Sequence, residues 1–106
     1  SAVRPVAKIC ELLTKSYTSK TDNDIKKALN ETYKERIIET CFDYMINDEK
    51  VAPQAYSMTT LFLLGKEYDW VYPELTRILE DDFHKQSAAF KARARQILKK
   101  IKNSNF

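Results

Sequence analysis

Apolar residues recur at spacings of three and four along most of this chain, which is the period of an amphipathic α-helix. The first stretch carries Val3, Val6, Ile9 and Leu13 and ends at a polar run that begins at Thr18. The pattern predicts six helices, over residues 2–17, 24–30, 32–46, 50–64, 70–80 and 87–102. The tight turns of a β-sheet need residues with positive φ, mostly glycine, and this chain has a single glycine. The chain is therefore predicted to be all-α.

Polar residues and one glycine mark the expected ends of these helices. Asn23 or Asp24 is expected to cap the short second helix, and Thr32 with Glu35 forms a capping-box sequence at the start of the third. Gly65 follows the fourth helix and is expected to end it in a left-handed conformation. These signals predict short connections between the helices.

A five-residue pattern, an apolar residue followed four positions later by Ala, opens three of the predicted helices. It begins at Val3, Val51 and Phe90. The intervening helices also match each other over residues 38–48 and 72–82, and both matches end at an Asp. These starting positions are 48 and 39 residues apart (51 − 3 and 90 − 51). Helix pairs that repeat at about this spacing are typical of α-solenoids, so the sequence predicts an α-α superhelix of about two and a half helix-pair repeats.

Two segments resemble a known family. Residues 41–55 combine an apolar helix, an Asp turn and a following helix, and residues 71–81 form an apolar helix with Pro73 near its start. Both resemble HEAT repeats, an armadillo-type α-solenoid family. The whole chain is similar to the C-terminal part of small uncharacterised bacterial HEAT-like proteins. An insertion at residues 18–30 and the non-basic Ala52 depart from the HEAT pattern.

The resemblance implies a non-catalytic module for protein–protein interaction. Some of the similar bacterial proteins carry the label adenylosuccinate lyase, which the residues do not support. Enzymes of that superfamily use a Gly-Ser-Ser loop with Met, Pro and Lys, whereas the single glycine here precedes Lys66 and Glu67. The alternative is nucleic-acid binding, since the fold also resembles HEAT-like DNA alkylation repair proteins, which track DNA with a basic concave face.

Acidic residues share one face of the third predicted helix, where Glu35, Glu39 and Asp43 are spaced by four. In HEAT-like folds the second helix of each pair lines the concave side, where partners often bind. If this carries over, the candidate partner-binding residues are these three with Glu74 and Arg77 of the fifth helix. A solvated outer face is the alternative interpretation.

Basic residues concentrate at the C-terminal end of a chain whose net charge is +3. Residues 83–106 contain seven Lys and Arg and no Asp or Glu. Lys91, Arg95 and Lys99 line one side of the last helix, with Lys102 nearby, and form a candidate anion-binding strip. The alternative is the solvated outer face of a terminal repeat.

Trp70 has two interpretations, like its neighbours Tyr68 and Tyr72. It is either a binding hot spot, where tryptophan is enriched, or a packing residue beneath the turn.

Cys10 and Cys41 occupy apolar helical positions and predict buried free thiols in a reducing cytoplasm, since no closely spaced cysteine pair supports a redox role.

Few residues offer catalytic chemistry. His84 is the single histidine and is expected in a loop, or in a weak cation site with Glu80, Asp81 and Asp82. One glycine cannot build a glycine-rich phosphate loop, and the serines lack a base. We therefore expect no enzyme, no cofactor and no metal centre.

The length of 106 residues predicts a single domain. No apolar run approaches the length of a membrane span, and a cytoplasmic location is expected. Because helical periodicity begins at once after Ser1, the chain is expected to be a fragment of a slightly longer protein. The flank of the first helix formed by Val3, Val6 and Cys10 is expected to be covered by preceding residues or to associate with a partner.

Overall fold

The structure is a computed structural model that describes residues 3–47, 51–82 and 86–104. Its α-helices are α1 (Val3–Thr18), α2 (Asp24–Ala28), α3 (Glu31–Asn47), α4 (Val51–Leu64), α5 (Val71–Asp82) and α6 (Ala88–Lys102). A 3₁₀ turn, Gly65–Glu67, follows α4. The described residues include no strand, so the all-α prediction is confirmed. None of the helices described is long and apolar enough to cross a bilayer.

α4 lies at the centre of the fold and contacts α1, α3, α5 and α6. It carries no charged residue, and its Met58, Leu61 and Leu64 are fully buried. Uncharged residues all round a helix are typical of a buried helix. The surrounding helices turn one face each to the core, with Ile38, Cys41, Met45, Leu75, Leu79, Phe90, Ala94 and Ile97 among the buried residues. The molecule measures 40 × 37 × 21 Å, so its thinnest dimension spans about two helix diameters.

The cap of α3 differs from the prediction. The side-chain Oδ1 of Asn30 accepts a hydrogen bond from the backbone N–H of Tyr33 at 3.0 Å. Asn30 therefore satisfies a donor of the first turn, and the prediction that Thr32 caps this helix is wrong. At the start of α6, Ser87 accepts from the N–H of Phe90 at 3.2 Å, so α6 begins just after its predicted first residue.

Gly65 does not end α4 in the predicted left-handed conformation. Its φ lies outside that range, and the chain continues into the 3₁₀ turn. The glycine is instead buried against Tyr72, where a Cβ would lie 2.5 Å from Cδ1 of the ring. Glycine is needed here because another residue approaches the backbone closely.

The segment between α1 and α3 is held by polar contacts. Asn23 donates to the carbonyl of Ser16 at 2.8 Å and accepts from the N–H of Lys26 at 3.1 Å. Lys26 Nζ donates to the carbonyls of Tyr17 and Ser19. These bonds satisfy carbonyl groups near the end of α1, which a helix leaves without internal partners. No residue of α2 is fully buried, so α2 adds little to the core.

α1 keeps an apolar ridge on its surface, formed by the exposed residues Val6, Ile9 and Leu12. The prediction that Cys10 shares the exposed flank with Val3 and Val6 is wrong, because Cys10 belongs to the face of α1 that is buried in the core. Association with a partner through this side of α1 stays a prediction.

We expect Thr14→Val to raise the free energy of unfolding by about 1–2 kcal/mol. Thr14 is fully buried, and its Oγ1 meets no hydrogen-bond partner within the described ranges. Valine keeps the shape and removes the desolvated hydroxyl. Thr60→Val is the matched control. Thr60 Oγ1 donates to the carbonyl of Tyr56 at 2.9 Å, so removing this hydroxyl also removes a hydrogen bond and should not stabilise the protein. Urea unfolding measures both, and equal destabilisation would contradict the prediction.

Candidate functional site: a groove between α3 and α5

A shallow groove of about 370 Å³ runs between α3 and the start of α5. We call it the acidic–aromatic groove, and it is lined by Glu39, Phe42, Asp43, Ile46, Trp70 and Glu74. The four α3 residues are spaced i, i+3, i+4 and i+7, which places them on one face of that helix. Trp70 and Glu74 lie one turn apart at the facing helix. Local helical spacing therefore builds each wall, and the packing of α3 with α5 brings the walls together.

The floor of the acidic–aromatic groove is apolar. The rings of Trp70 and Phe42 pack with their centroids 5.5 Å apart and their planes tilted by 31°. Phe42 is buried, whereas Trp70 is 51% exposed and Ile46 is 60% exposed. Tryptophan is the residue type most enriched where binding energy concentrates at interfaces. The groove therefore offers a partner a rigid apolar surface that is already in place.

The rim of the groove is acidic. Glu74 forms an ion pair with Arg77, which lowers the pKa of that carboxyl through a hydrogen bond. Arg77 also pairs with Asp81 at 3.2 Å. In the part of the chain that the structure describes, no cation pairs with Glu39 or Asp43. Two carboxylates one turn apart thus face the groove without a neutralising partner among these residues.

The predicted partner-binding residues divide into two groups. Glu39, Asp43 and Glu74 line the groove. Glu35 is exposed one turn before Glu39 and does not line it, and Arg77 is held by its carboxylate partners. Their part in binding stays a prediction.

Sequence reasoning missed the apolar half of this groove. Ile46 is one of the apolar residues of α3, and the structure places it at the surface. The ring of Trp70 packs on Phe42 and still keeps half of its surface in water, and its role as a binding hot spot stays a prediction. The sequence does carry a signal for this mixed apolar and acidic surface, because Phe42 and Ile46 alternate with Glu39 and Asp43 on the same face of α3.

The predicted anion-binding strip lies on α6. Arg95, Lys99 and Lys102 are exposed and Lys91 is half-buried. Lys102 lines a depression beside Pro73, whereas Arg95 and Lys99 lie on the open surface. The strip is therefore spread along the helix, and its role in binding anions stays a prediction.

A second groove, of about 310 Å³, lies where α1, α4 and α6 meet, and we call it the basic groove. Its cations are Lys15, Arg93 and Lys100, and its lining residues include no carboxylate. Arg93 donates to Thr59 Oγ1 at 3.3 Å, and Lys100 Nζ lies 5.8 Å from the ring centroid of Phe62. The sequence did not predict this cluster because its members come from distant parts of the chain.

Lys34 is a buried cation that serves the fold. Its side chain is 5% exposed, and Nζ lies 2.8 Å from both Tyr17 Oη and Glu67 Oε1 and 2.7 Å from Glu31 Oε1. Tyr68 Oη donates to the other oxygen of Glu31 at 2.6 Å. Burial lowers the pKa of Lys34, but the hydrogen bonds to Glu31, Glu67 and Tyr17 outweigh it, so the pKa is raised overall. Three partners match the three donors of the ammonium group, which leaves none for a ligand.

Cys10 and Cys41 are buried and unbridged, as predicted. A hydrogen bond with Cys10, together with burial, raises the pKa of the Cys41 thiol well above its ordinary value. Cys41 is therefore a poor nucleophile, because the thiolate is the reactive form.

Metal ligands do not cluster in the described residues, where no three His, Cys, Asp or Glu side chains come together. The predicted cation site of Glu80, Asp81, Asp82 and His84 includes His84 and the side chain of Asp82, which lie outside the described residues. That site stays a prediction.

No protein-family model, curated protein or solved structure matches this chain. The resemblance to HEAT repeats therefore stays a prediction.

Proposed function

We propose that this chain is a non-catalytic helical-repeat module for protein–protein interaction and that it binds its partner through the acidic–aromatic groove. The observation that carries the proposal is the half-exposed Trp70, which lies beside exposed Ile46 in a groove rimmed by the carboxylates of Glu39 and Asp43. The mechanism is the presentation of preformed side chains by a rigid scaffold.

The helix contacts support an α-solenoid arrangement within this proposal. α4 contacts both α1 and α6, while α3 contacts α5, which fits two rows of helices stacked on one another. The thin dimension of 21 Å is compatible with two layers. In this arrangement α3 and α5 belong to the same row, and the groove between them is a joint between successive repeats.

Site-specific photo-crosslinking tests the proposal. A photoreactive phenylalanine analogue at position 46, inside the groove, should capture a protein that the same analogue at position 21, in the exposed loop before α2, does not. The captured protein is then identified, purified and titrated against the wild type and Trp70→Ala. We expect Trp70→Ala to weaken binding about 30-fold, the loss typical of a hot-spot residue. Equal capture from both positions, or unchanged affinity of Trp70→Ala, would refute the proposal.

Nucleic-acid binding is the second candidate function, and the basic groove is the observation that favours it. Lys15, Arg93 and Lys100 line this groove together without a carboxylate in the lining, and Lys15 also pairs with Glu11 at 3.6 Å. Clustered cations favour contact with phosphates. A titration with a labelled single-stranded oligonucleotide at about 50 and 200 mM salt separates the two functions. Binding that falls steeply with salt and is lost in Arg93→Glu/Lys100→Glu, but not in Trp70→Ala, would favour this alternative.

A further inference from the structure

We propose that the acidic–aromatic groove recognises a polypeptide segment that presents an arginine next to an exposed apolar side chain. This inference rests on the proposed function and adds the chemistry of the partner. It is carried by the combination of carboxylates, a half-exposed tryptophan and an exposed isoleucine within one groove.

The charges select a cation. The carboxylates of Glu39 and Asp43 lie one turn apart on α3, and no cation of the described residues neutralises them. Glu74 is already held by Arg77, so the α3 pair is the acceptor that remains. An anionic segment, or the phosphates of a nucleic acid, would be repelled at this rim.

The aromatic surface selects the guanidinium group over the ammonium group. Trp70 leaves half of its surface in water, and a planar guanidinium stacks on such a ring while its edge donates to carboxylates. A lysine ammonium is a compact, strongly hydrated charge that cannot stack and donate as a planar fork. The neighbouring Ile46 gives an apolar residue of the same segment a surface to cover.

A second copy of this chain is the competing occupant. Its α6 carries Arg93 and Arg95, but the large apolar residues Phe90 and Ile97 of that helix are buried in the core. Its exposed Arg36 lies one turn from the exposed Tyr33 on α3, so the test includes self-association.

Trp70 is the only tryptophan of the chain, so its fluorescence reports on the groove directly. The probes are three helical peptides of about 15 residues with a leucine four positions after the test residue, which is arginine, lysine or citrulline. Citrulline keeps the planar shape of arginine without its charge. We expect the arginine peptide to change the Trp70 emission and to bind about tenfold more tightly than either of the others, the effect of one or two charge-assisted hydrogen bonds.

Variants locate the contact. Glu39→Gln/Asp43→Asn should weaken the arginine peptide about tenfold or more, whereas Asp22→Asn/Asp24→Asn, which removes two exposed carboxylates outside the groove, should leave its affinity unchanged. Circular dichroism checks that the variants stay folded.

Three outcomes would overturn the inference. The first is equal binding of the arginine peptide and either of the others, or no binding by any of them. The second is unchanged affinity in Glu39→Gln/Asp43→Asn. The third is self-association that Arg36→Gln or Arg93→Gln/Arg95→Gln abolishes, which would make a second copy the occupant. If a crosslinked protein partner still depends on Trp70 while the peptides show no preference, the inference fails and the proposed function stands.

Discussion

We expect Gly65→Ala to lower the free energy of unfolding by about 2–4 kcal/mol. Backbone strain is not the cause, because the φ of Gly65 lies outside the left-handed range. Without a clash, the substitution would even stabilise the protein by about 0.4–1 kcal/mol, since alanine restricts the unfolded chain. The new methyl group, however, would lie 2.5 Å from Cδ1 of Tyr72. This contact makes the net effect of Gly65→Ala a loss of stability.

Tyr72 has little freedom to yield. Its ring stacks on Phe62 with centroids 5.7 Å apart and planes 8° from parallel, and its Oη donates to the Phe62 carbonyl at 2.7 Å. A shift of the ring gives up the stacking, the hydrogen bond or both. Each of these losses adds to the cost of overpacking.

Urea unfolding of four proteins tests this account: the wild type, Gly65→Ala, Tyr72→Ala and the double variant. In the Tyr72→Ala background the clash is absent, so Gly65→Ala should cost little or stabilise. The two substitutions should therefore be strongly non-additive. An equal cost in both backgrounds would show that Tyr72 is not the reason for glycine at this position.

We expect Lys34→Met to lower the free energy of unfolding by about 1–3 kcal/mol. The ammonium group joins Tyr17 of α1, Glu31 of α3 and Glu67 of the 3₁₀ turn. Breaking a fully buried ion pair costs about 3–5 kcal/mol, because one charge is left without water or a partner. Here the side chains of Glu31 and Glu67 are 69% and 37% exposed and regain water, which makes the loss smaller.

Arg36→Met is the matched control for this variant, because Arg36 is an exposed cation two residues further along α3. Removing it should change the stability by less than about 0.5 kcal/mol. Urea unfolding at neutral pH measures both variants. Equal effects of Lys34→Met and Arg36→Met would contradict the role given to the buried ammonium group.

The stability difference between the wild type and Lys34→Met should depend on pH. The pKa of Lys34 in the folded state is raised above its ordinary value of 10.5. The contribution of the ammonium group is therefore complete below about pH 10.5, and it is lost as the pH rises toward the folded pKa. We expect a constant difference between about pH 7 and 9 and a smaller one near pH 11.5. A difference that grows with pH would mean that the pKa is lowered.

The helices of this protein could be predicted because the signals for them are local. In the described residues, apolar spacing predicts the helix ends to within about two residues of their observed positions. The choice of Asn30 over Thr32 as the cap of α3 depends on loop geometry, which spacing does not contain. The role of Gly65 depends on Tyr72, which reaches it only after α5 has packed.

The acidic–aromatic groove was only half predictable for the same reason. Glu39 and Asp43 follow from the period of one helix, and the prediction that they are exposed on one face is confirmed. The contact between Trp70, just before α5, and Phe42 of α3 joins segments that are far apart in sequence, so no local pattern contains it. The convergence of Lys15, Arg93 and Lys100 is likewise a product of packing.

The polar attachment of α2 makes this segment a place where the chain tolerates engineering. Asn23 and Lys26 hold α2 to the end of α1, and α2 buries no residue fully. The α3 residues that line the acidic–aromatic groove lie in the second half of α3, away from α2. Exposed loops that carry little core packing accept inserted domains well. A fluorescent reporter placed at residues 20–22 would thus leave both the packed helices and the binding groove in place.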